Sequence, residues 1–407
     1  MSVLPSPVAR PPSSSVLPSP LSLPPPPSLP PPDCRAWVAW WSVPGIGWRS
    51  FAGLLAYARR HRTSLRRLWS RPGRWEAAGL TASQQAAVKT WQSSQSIDDY
   101  WQQLEAADIT VTCLGSSDYP PLLAEIDDPP WVLFIKGEWP IKLSLPIAVV
   151  GTRRPTLYGR QAAVRLVTEL VAAGAGIVSG FMFGIDVLAH QTALRQRGRT
   201  VGVLGYGFDR VYPPSFSRVL AEYADQRPNM TFISEYAPFV PARRYTFRQR
   251  NRIIAGLSLA TLVVEAGVRS GTQITARLAG QYGREVAAVP SPITSPYCAG
   301  TANLINQGAL LTEDAGRLLT ELGVGSGRRL TGSLVFGERA EADEQSAGPE
   351  EVSLDLIRLF QDGPLTSEYL SAITNLSITQ VNVELTRLEL LGVVTRQGSC
   401  WSLSTRS

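Results

Sequence analysis

Lysine is almost absent from this chain of 407 residues, which contains only Lys89, Lys136 and Lys142. The remaining basic residues are arginines, and the formal net charge is +6. A planar guanidinium binds phosphate through two hydrogen bonds and stacks on bases, whereas a lysine ammonium acts as a point charge. The charge balance therefore favours an anionic partner. A GC-rich genome would also raise the arginine content, so composition leaves both explanations open.

Cysteine motifs and long apolar runs are missing as well. The four cysteines are far apart and form no Cys-x-x-Cys pair, which argues against a metal site or a disulfide framework and fits a reducing compartment. No apolar run approaches the roughly 18 residues of a membrane span, and the N-terminus lacks the apolar stretch of a signal peptide. We therefore expect a cytoplasmic protein without a membrane partner.

Composition divides the chain into five segments. Residues 1–32 form a proline-rich head, which we expect to be disordered; a tail, a docking segment and a misassigned start codon all remain open. Residues 33–105 are predicted to be a helical module of the helix-hairpin-helix or SAM-like kind. Residues 106–322 carry the main domain, and 323–350 have the composition of a linker. Residues 351–407 show helical patterns followed by a hairpin, which predicts a winged helix.

Two features of the helical module are compatible with DNA contact. The turn Pro44-Gly45-Ile46-Gly47 would offer backbone N–H groups to a phosphate. The segment 59–74 contains seven arginines and no acid. The alternative is a helical capping domain whose many tryptophans are simply its core.

Short apolar runs alternate with helical stretches in the main domain. This alternation predicts an α/β fold with a parallel, doubly wound sheet. Ligands of such folds bind beyond the carboxyl ends of the strands, where the strand order reverses. The strand candidates are 147–150, 177–179, 201–204, 231–234, 262–265, 286–289 and 309–311.

Turns suited to phosphate follow several of these strands. They are Gly151-Thr152-Arg153, Ser179-Gly180 with Gly184, Gly205, and Ser270-Gly271-Thr272, which opens a helix that contains Thr275. Free N–H groups at a helix start bind anions, and ordinary N-capping by Ser270 or Thr272 is a compatible alternative. The first turn is not Gly-x-Gly-x-x-Gly, and no acid follows where a dinucleotide ribose requires one. We therefore expect no nicotinamide cofactor, and no other cofactor or metal.

The densest cationic stretch lies just before the fifth strand candidate. Five arginines fall between positions 243 and 252 with no acid among them. We expect Arg248, Arg250, Asn251 and Arg252 to form one wall of a phosphate-tracking groove. The Gly151-Thr152-Arg153 turn should lie at the same sheet edge.

Asp186 and His190 are four residues apart on a predicted helix and therefore share a face. They are either an acid–base pair or a structural hydrogen bond that sets the histidine tautomer. No nucleophile motif lies nearby, which favours the structural interpretation.

Taken in order, the motifs of positions 115–312 resemble the DprA/Smf DNA-processing family. They are Asp118-Tyr119-Pro120-Pro121-Leu122, Asp128-Pro129-Pro130, Val149-Val150-Gly151-Thr152-Arg153, Ser179-Gly180, Gly184-Ile185-Asp186, Ala189-His190, Tyr212-Pro213, the Arg250-Asn251-Arg252 stretch to Ser258, Glu265-Ala266, Ser270-Gly271-Thr272, Thr275-Ala276, Asn303-Leu304-Ile305 and Gly308-Ala309. The chain departs from the family pattern at Arg248, Ser291 and Phe216, and at the bulky run Phe181-Met182-Phe183.

The resemblance implies an extended Rossmann-like, doubly wound domain that forms a homodimer and binds single-stranded DNA in a basic pocket, without enzymatic activity. Such proteins protect incoming strands in natural transformation and help load RecA recombinase. The alternative is a Rossmann-type enzyme that processes nucleoside monophosphates, with Glu265 acting on the ribose or glycosidic bond. The winged-helix segment has six acids against four arginines, so we expect it to contact protein rather than DNA.

Overall fold

A computed structural model describes residues 33–141, 143–214, 216–217, 220–221, 229–324, 365–367, 370–371, 377–390, 393–397 and 400–403. Contacts divide the chain into two compact units, Met1–Leu330 and Thr331–Ser407. The predicted head (1–32), nearly all of the linker (323–350) and the first helical pattern of the C-terminal module (354–360) lie outside the described residues.

The described part of the first unit begins with five helices rich in tryptophan. They are α1 (Cys34–Trp41), α2 (Trp48–Arg60), α3 (Leu65–Trp69), α4 (Ala82–Ser94) and α5 (Ile97–Ala106), with a 3₁₀ turn (Pro72–Arg74) after α3. Trp40 and Trp69 meet edge to face with ring centroids 4.7 Å apart, and both are buried. Edge-to-face packing suits the quadrupole of aromatic rings. These tryptophans form the core; the helix-hairpin-helix or SAM-like assignment stays a prediction.

A nine-stranded sheet forms the centre of the unit, in the order β1-β2-β6-β5-β4-β3-β7-β8-β9. Its strands are β1 (Thr110–Cys113), β2 (Val132–Lys136), β3 (Pro146–Val150), β4 (Gly176–Ser179), β5 (Thr200–Leu204), β6 (Met230–Ser234), β7 (Ala260–Val263), β8 (Glu285–Ala288) and β9 (Leu310–Leu311). The strands from β3 to β9 pair in parallel. The predicted parallel sheet is confirmed.

Two strands were not predicted from the sequence. β1 pairs with β2, and β2 with β6, both antiparallel. The apolar run at 132–136 lies outside the strand–helix alternation that identified the other strands. These two strands extend the sheet at the edge that contacts α1, where the Trp41 indole donates a hydrogen bond to the Glu235 carbonyl (2.6 Å).

The strand order reverses at β3. From β3 the chain proceeds through β4, β5 and β6 on one side, and then returns to place β7, β8 and β9 on the other. The helices of this part are α6 (Pro121–Ala124), α7 (Leu157–Ala172), α8 (Ile185–Arg195), α9 (Arg244–Gly256), α10 (Gly271–Gln281), α11 (Cys298–Asn306) and α12 (Ala315–Glu321). The carboxyl ends of β3 and β7 therefore mark the switch point, where open α/β sheets bind ligands.

The second unit contains helix α13 (Ile378–Leu390) and the strands β10 (Leu365–Thr366), β11 (Val394–Gln397) and β12 (Cys400–Leu403). β12 pairs antiparallel with both β10 and β11. A helix followed by a hairpin agrees with the pattern in the sequence. The winged-helix assignment itself stays a prediction.

Candidate nucleic-acid interface

A pocket of about 900 Å³ opens at the switch point of the sheet. We call it the arginine pocket, because Arg153, Arg154, Arg243, Arg244, Arg248 and Arg250 line it. Asp186 is the one acid among the lining residues. The pocket also includes the following predicted site residues: Gly151, Thr152, Asn251, Ser270, Gly271, Thr272 and Thr275.

Helix α9 forms one wall of the pocket, and its arginines point to different sides of the helix. Arg244, Arg248 and Asn251 lie one turn apart and line the pocket, as the 3.6-residue period of a helix requires. Arg244 and Arg248 are exposed, with no acid in their turns of the helix. Their charges therefore face the cavity.

Arg250 lines the pocket from beneath. Its side chain is only 3% exposed, and its guanidinium donates to the Val203 carbonyl (2.5 Å) and lies over the Phe247 ring. Burial lowers the pKa of Arg250. Arg250 therefore exposes too little surface for the direct phosphate contact that the sequence predicts. Its positive charge acts on a ligand in the pocket mainly at a distance.

Arg252 does not line the pocket. It points to the opposite side of α9, where it pairs with Glu235 (2.6 Å) and Asp128 (3.1 Å). Both atoms of the Arg252–Glu235 pair belong to buried side chains. The sequence predicts that Arg252 forms part of the same groove wall as Arg248, Arg250 and Asn251. The structure places it elsewhere, because four neighbouring residues of a helix cannot all point to one side.

The turn after β3 and the start of α10 form the opposite wall. The Thr152 N–H donates to the Glu265 carbonyl (2.8 Å), and the Thr272 hydroxyl donates to the Gly151 carbonyl (3.1 Å). Ser270 occupies the N-cap position of α10 without forming a side-chain cap. The first N–H groups of α10 therefore open on the pocket without a capping side chain, which suits an anion.

Four of the predicted contact residues lie behind the wall instead of lining it. The Ser179 hydroxyl donates to the Val149 carbonyl (2.6 Å). A Cβ at Gly180 would collide with the Arg250 guanidinium, and one at Gly205 would meet Phe247 at 2.8 Å. Gly184 has a left-handed backbone (φ +85°) and packs against the Thr152–Arg153 backbone. The three glycines make room for the residues that line the pocket, and Ser179 joins the end of β4 to β3.

His190 and Asp186 do not pair with each other. The Thr200 hydroxyl donates to the Ile177 carbonyl, so it accepts its 2.6 Å hydrogen bond from the Nδ1–H of His190. Burial lowers the pKa of His190 to about 3 and raises that of Asp186 to about 6, the latter against the opposing charge of Arg250. The histidine hydrogen bond is structural, with Thr200 rather than Asp186 as its partner.

Glu265, the residue that the enzyme alternative requires, is fully buried. Its carboxylate accepts from the Thr156 N–H (2.9 Å) and from the Thr156 hydroxyl (2.6 Å), at the start of α7. A Cβ at Gly159 would collide with it. Glu265 thus ties the end of β7 to α7 and is not among the lining residues of the pocket.

Aromatic side chains complete the pocket, and the sequence did not assign them to the site. Phe183 and Tyr212 are 46% and 47% exposed, and both line the cavity together with Phe247. The Phe183 ring is held by Phe216, with centroids 4.5 Å apart. Both Phe183 and Phe216 are departures from the family pattern. If residues 244–256 had been predicted to form a helix, Phe247 would have been expected near Arg244 and Arg248.

The chain is similar to known proteins over most of its length. The family model for DNA recombination-mediator protein A matches residues 110–323. Protein Smf from Synechocystis sp. is 31% identical over 390 residues, which cover 89% of this chain and 96% of that protein. DNA processing protein DprA from Bacillus subtilis is 39% identical over 210 residues, or 51% of this chain and 70% of that protein.

The fold has a solved counterpart. The X-ray structure of DNA processing protein A from Streptococcus pneumoniae superposes with a TM-score of 0.60 at 29% identity, over 70% of this chain and 97% of that one. In the described ranges, no helix is both long enough and apolar enough to cross a bilayer. On the match to its family model and on the near full-length similarity to protein Smf, this chain belongs to the family of DNA recombination-mediator protein A, the DprA/Smf family.

Proposed function

We propose that the protein binds single-stranded DNA in the arginine pocket. The observation that carries this proposal is that exposed arginines and exposed aromatic rings line the same cavity. Arginines contact phosphates irrespective of sequence. Aromatic rings stack on bases, whose faces are accessible in a single strand but not in a duplex.

The further steps of the proposal are that the protein protects incoming strands during natural transformation and helps load RecA recombinase onto them, acting as a homodimer. Family membership supports these steps. A binding role without catalysis agrees with the structural hydrogen bonds of His190 and Glu265. RecA loading is tested by the rate of RecA ATP hydrolysis on single strands precoated with a single-strand-binding protein, which should rise when this protein is added.

The binding step is tested with Arg248→Ala and a fluorescently labelled oligothymidylate. Each phosphate contact to a single strand contributes about 0.7 to the slope of log affinity against log salt. We expect Arg248→Ala to weaken binding and to reduce the slope by about that amount. The matched control is Arg277→Ala, an exposed arginine of α10 that does not line the pocket. Equal affinities and slopes for wild type, variant and control would contradict the proposal.

The aromatic side of the pocket is tested separately with Phe183→Ala. This change removes a stacking face and no charge, so the salt slope should stay constant while affinity for the oligothymidylate falls. Base stacking contributes about 1–3 kcal/mol per base, which corresponds to at least a several-fold loss. Affinity for a duplex of the same length should not change. A loss that is equal for both DNAs would assign Phe183 a structural role.

A further inference from the structure

A second group of exposed arginines lies on the N-terminal helices, and none of them lines the arginine pocket. Within the segment 59–74, Arg66 pairs with Asp33 at 2.7 Å. The other six arginines form no ion pair with an acid in the described ranges of the chain. We call them the arginine patch: Arg59, Arg60, Arg62, Arg67, Arg71 and Arg74.

The backbone that carries the patch is held firmly from its inner side. Leu65, Leu68 and Trp69 are buried. The Trp40 indole donates to the Leu65 carbonyl (3.0 Å), and the Trp75 indole donates to the Leu68 carbonyl (2.8 Å). Because the apolar side chains of this segment point inward, its arginines all point to solvent from a preorganised framework.

Local structure explains the positions of only some of these charges. Arg62 adopts a left-handed backbone (φ 47°) directly after the C-cap residue of α2, a position that glycine occupies most easily. The helix dipole favours Arg59 and Arg60 in the last turn of α2, and Arg67 in the last turn of the five-residue helix α3. Six unneutralised positive charges in one segment repel one another, and an anionic partner would relieve that repulsion.

We propose that the arginine patch is a second DNA-binding surface, which contacts the phosphate backbone and accepts duplex as well as single-stranded DNA. The tryptophans of this region are not available for stacking on bases, since Trp69 and Trp75 are buried. The patch therefore provides charge without base contact, in contrast to the arginine pocket. Such a surface binds independently of sequence and strand number.

The test compares the full-length protein with the triple variant Arg67→Gln/Arg71→Gln/Arg74→Gln in a salt series with a 20-base-pair duplex. Each phosphate contact to B-form DNA contributes about 0.9 to the salt slope. We expect the triple variant to lose at least about tenfold in duplex affinity and up to about 2.7 in slope. The matching lysine variant, Arg67→Lys/Arg71→Lys/Arg74→Lys, keeps the positive charges. It should therefore keep both the duplex affinity and the salt slope of the wild type.

The matched control is Arg195→Gln/Arg197→Gln/Arg277→Gln, which removes three exposed arginines from other elements of the first unit. It should bind duplex like the wild type. The proposal is overturned if the wild type does not bind duplex, or if the patch variant and the control lose affinity equally. It is also overturned if the patch variant loses binding to anionic phosphatidylglycerol vesicles and not to duplex. Arg248→Ala should retain duplex binding. The pocket proposal is therefore tested by oligothymidylate binding and the patch proposal by duplex binding, so that either can fail without the other.

Discussion

Three arginines of one helix show how exposure, rather than residue type, determines what a side chain can do. Arg248 is exposed in the pocket, Arg250 is covered by its neighbours, and Arg252 is engaged with two carboxylates. A guanidinium that pairs with a buried acid, as Arg252 does with Glu235, cannot leave it without a large desolvation cost. Arg248 is therefore the residue of this triplet that is able to contact a phosphate directly.

Arg252→Gln should separate stability from binding. Removing one partner of a buried ion pair leaves Glu235 uncompensated, so we expect the free energy of unfolding to fall by about 3–5 kcal/mol. Urea unfolding measures this loss. At a low temperature where the variant is folded, its affinity for oligothymidylate should equal that of the wild type. Weakened binding with normal stability would restore the phosphate role first predicted for Arg252.

Two buried groups should make stability respond to pH in opposite directions. The pKa of His190 is lowered from 6.5 to about 3, so its contribution is complete above pH 6.5 and is lost as the pH falls toward 3. The pKa of Asp186 is raised from 3.8 to about 6, so its contribution is complete below pH 3.8 and is lost as the pH rises through 6. Each group changes the free energy of unfolding by up to ~1.4 kcal/mol per pH unit.

The two slopes therefore largely cancel between about pH 4 and pH 6, the window shared by both shifts. In Asp186→Asn the free energy of unfolding should fall as the pH is lowered through this window, and in His190→Gln it should rise. Urea unfolding at several pH values measures both variants against the wild type. Three parallel pH profiles would show that neither group titrates with the shifted pKa.

At the scale of elements, the pocket exists because distant chain segments meet at one sheet edge. Its two walls, formed by the exposed face of α9 and by the turn after β3 with the start of α10, come from positions far apart in the chain. They converge because β3 and β7 are neighbours in the sheet. Glu265 stabilises this arrangement, because its hydrogen bonds with Thr156 join the end of β7 to the start of α7.

Glu265→Ala should therefore act on stability and not on chemistry. It removes two hydrogen bonds to a buried carboxylate, each worth about 1.5–3 kcal/mol, and we expect a clear drop in the thermal midpoint. Glu265→Gln, which keeps the shape, should be closer to the wild type. Neither the wild type nor Glu265→Gln should release free base from nucleoside monophosphates. Steady release by the wild type that stops in Glu265→Gln would instead establish the enzyme alternative.

At the scale of the whole molecule, all the residues of the arginine pocket and of the arginine patch belong to the unit Met1–Leu330. The second unit carries more acids than arginines. Because single-stranded DNA is attracted by positive charge, the second unit should add little to its affinity.

A chain that ends at Leu330 should therefore bind oligothymidylate within about twofold of the full-length protein and with the same salt slope, since no phosphate contact is lost. Titration of both chains under identical salt conditions checks this expectation. A large loss of affinity on truncation would place part of the DNA site in the second unit.

Local patterns in the sequence were sufficient for the parallel strands, the glycine turns and the family. The seven strand candidates could be found because buried parallel strands are short apolar runs bounded by turns. The turn at 151–153 and the helix start at 270–272 were recognisable because anion-binding backbone needs small residues and a strand-to-helix transition. These signals are local, and each can be read within about ten residues.

Which arginines face the pocket was decided only by the tertiary structure. The segment 243–252 looked uniformly cationic, but its burial against Val203, Glu235 and Asp128 removed Arg250 and Arg252 from solvent. Phe183 joined the site because Phe216, which follows it by more than thirty positions, supports its ring. Direction and exposure depend on contacts between distant segments. The sequence by itself therefore determined the kinds of groups at this sheet edge, and folding determined which of them a ligand can reach.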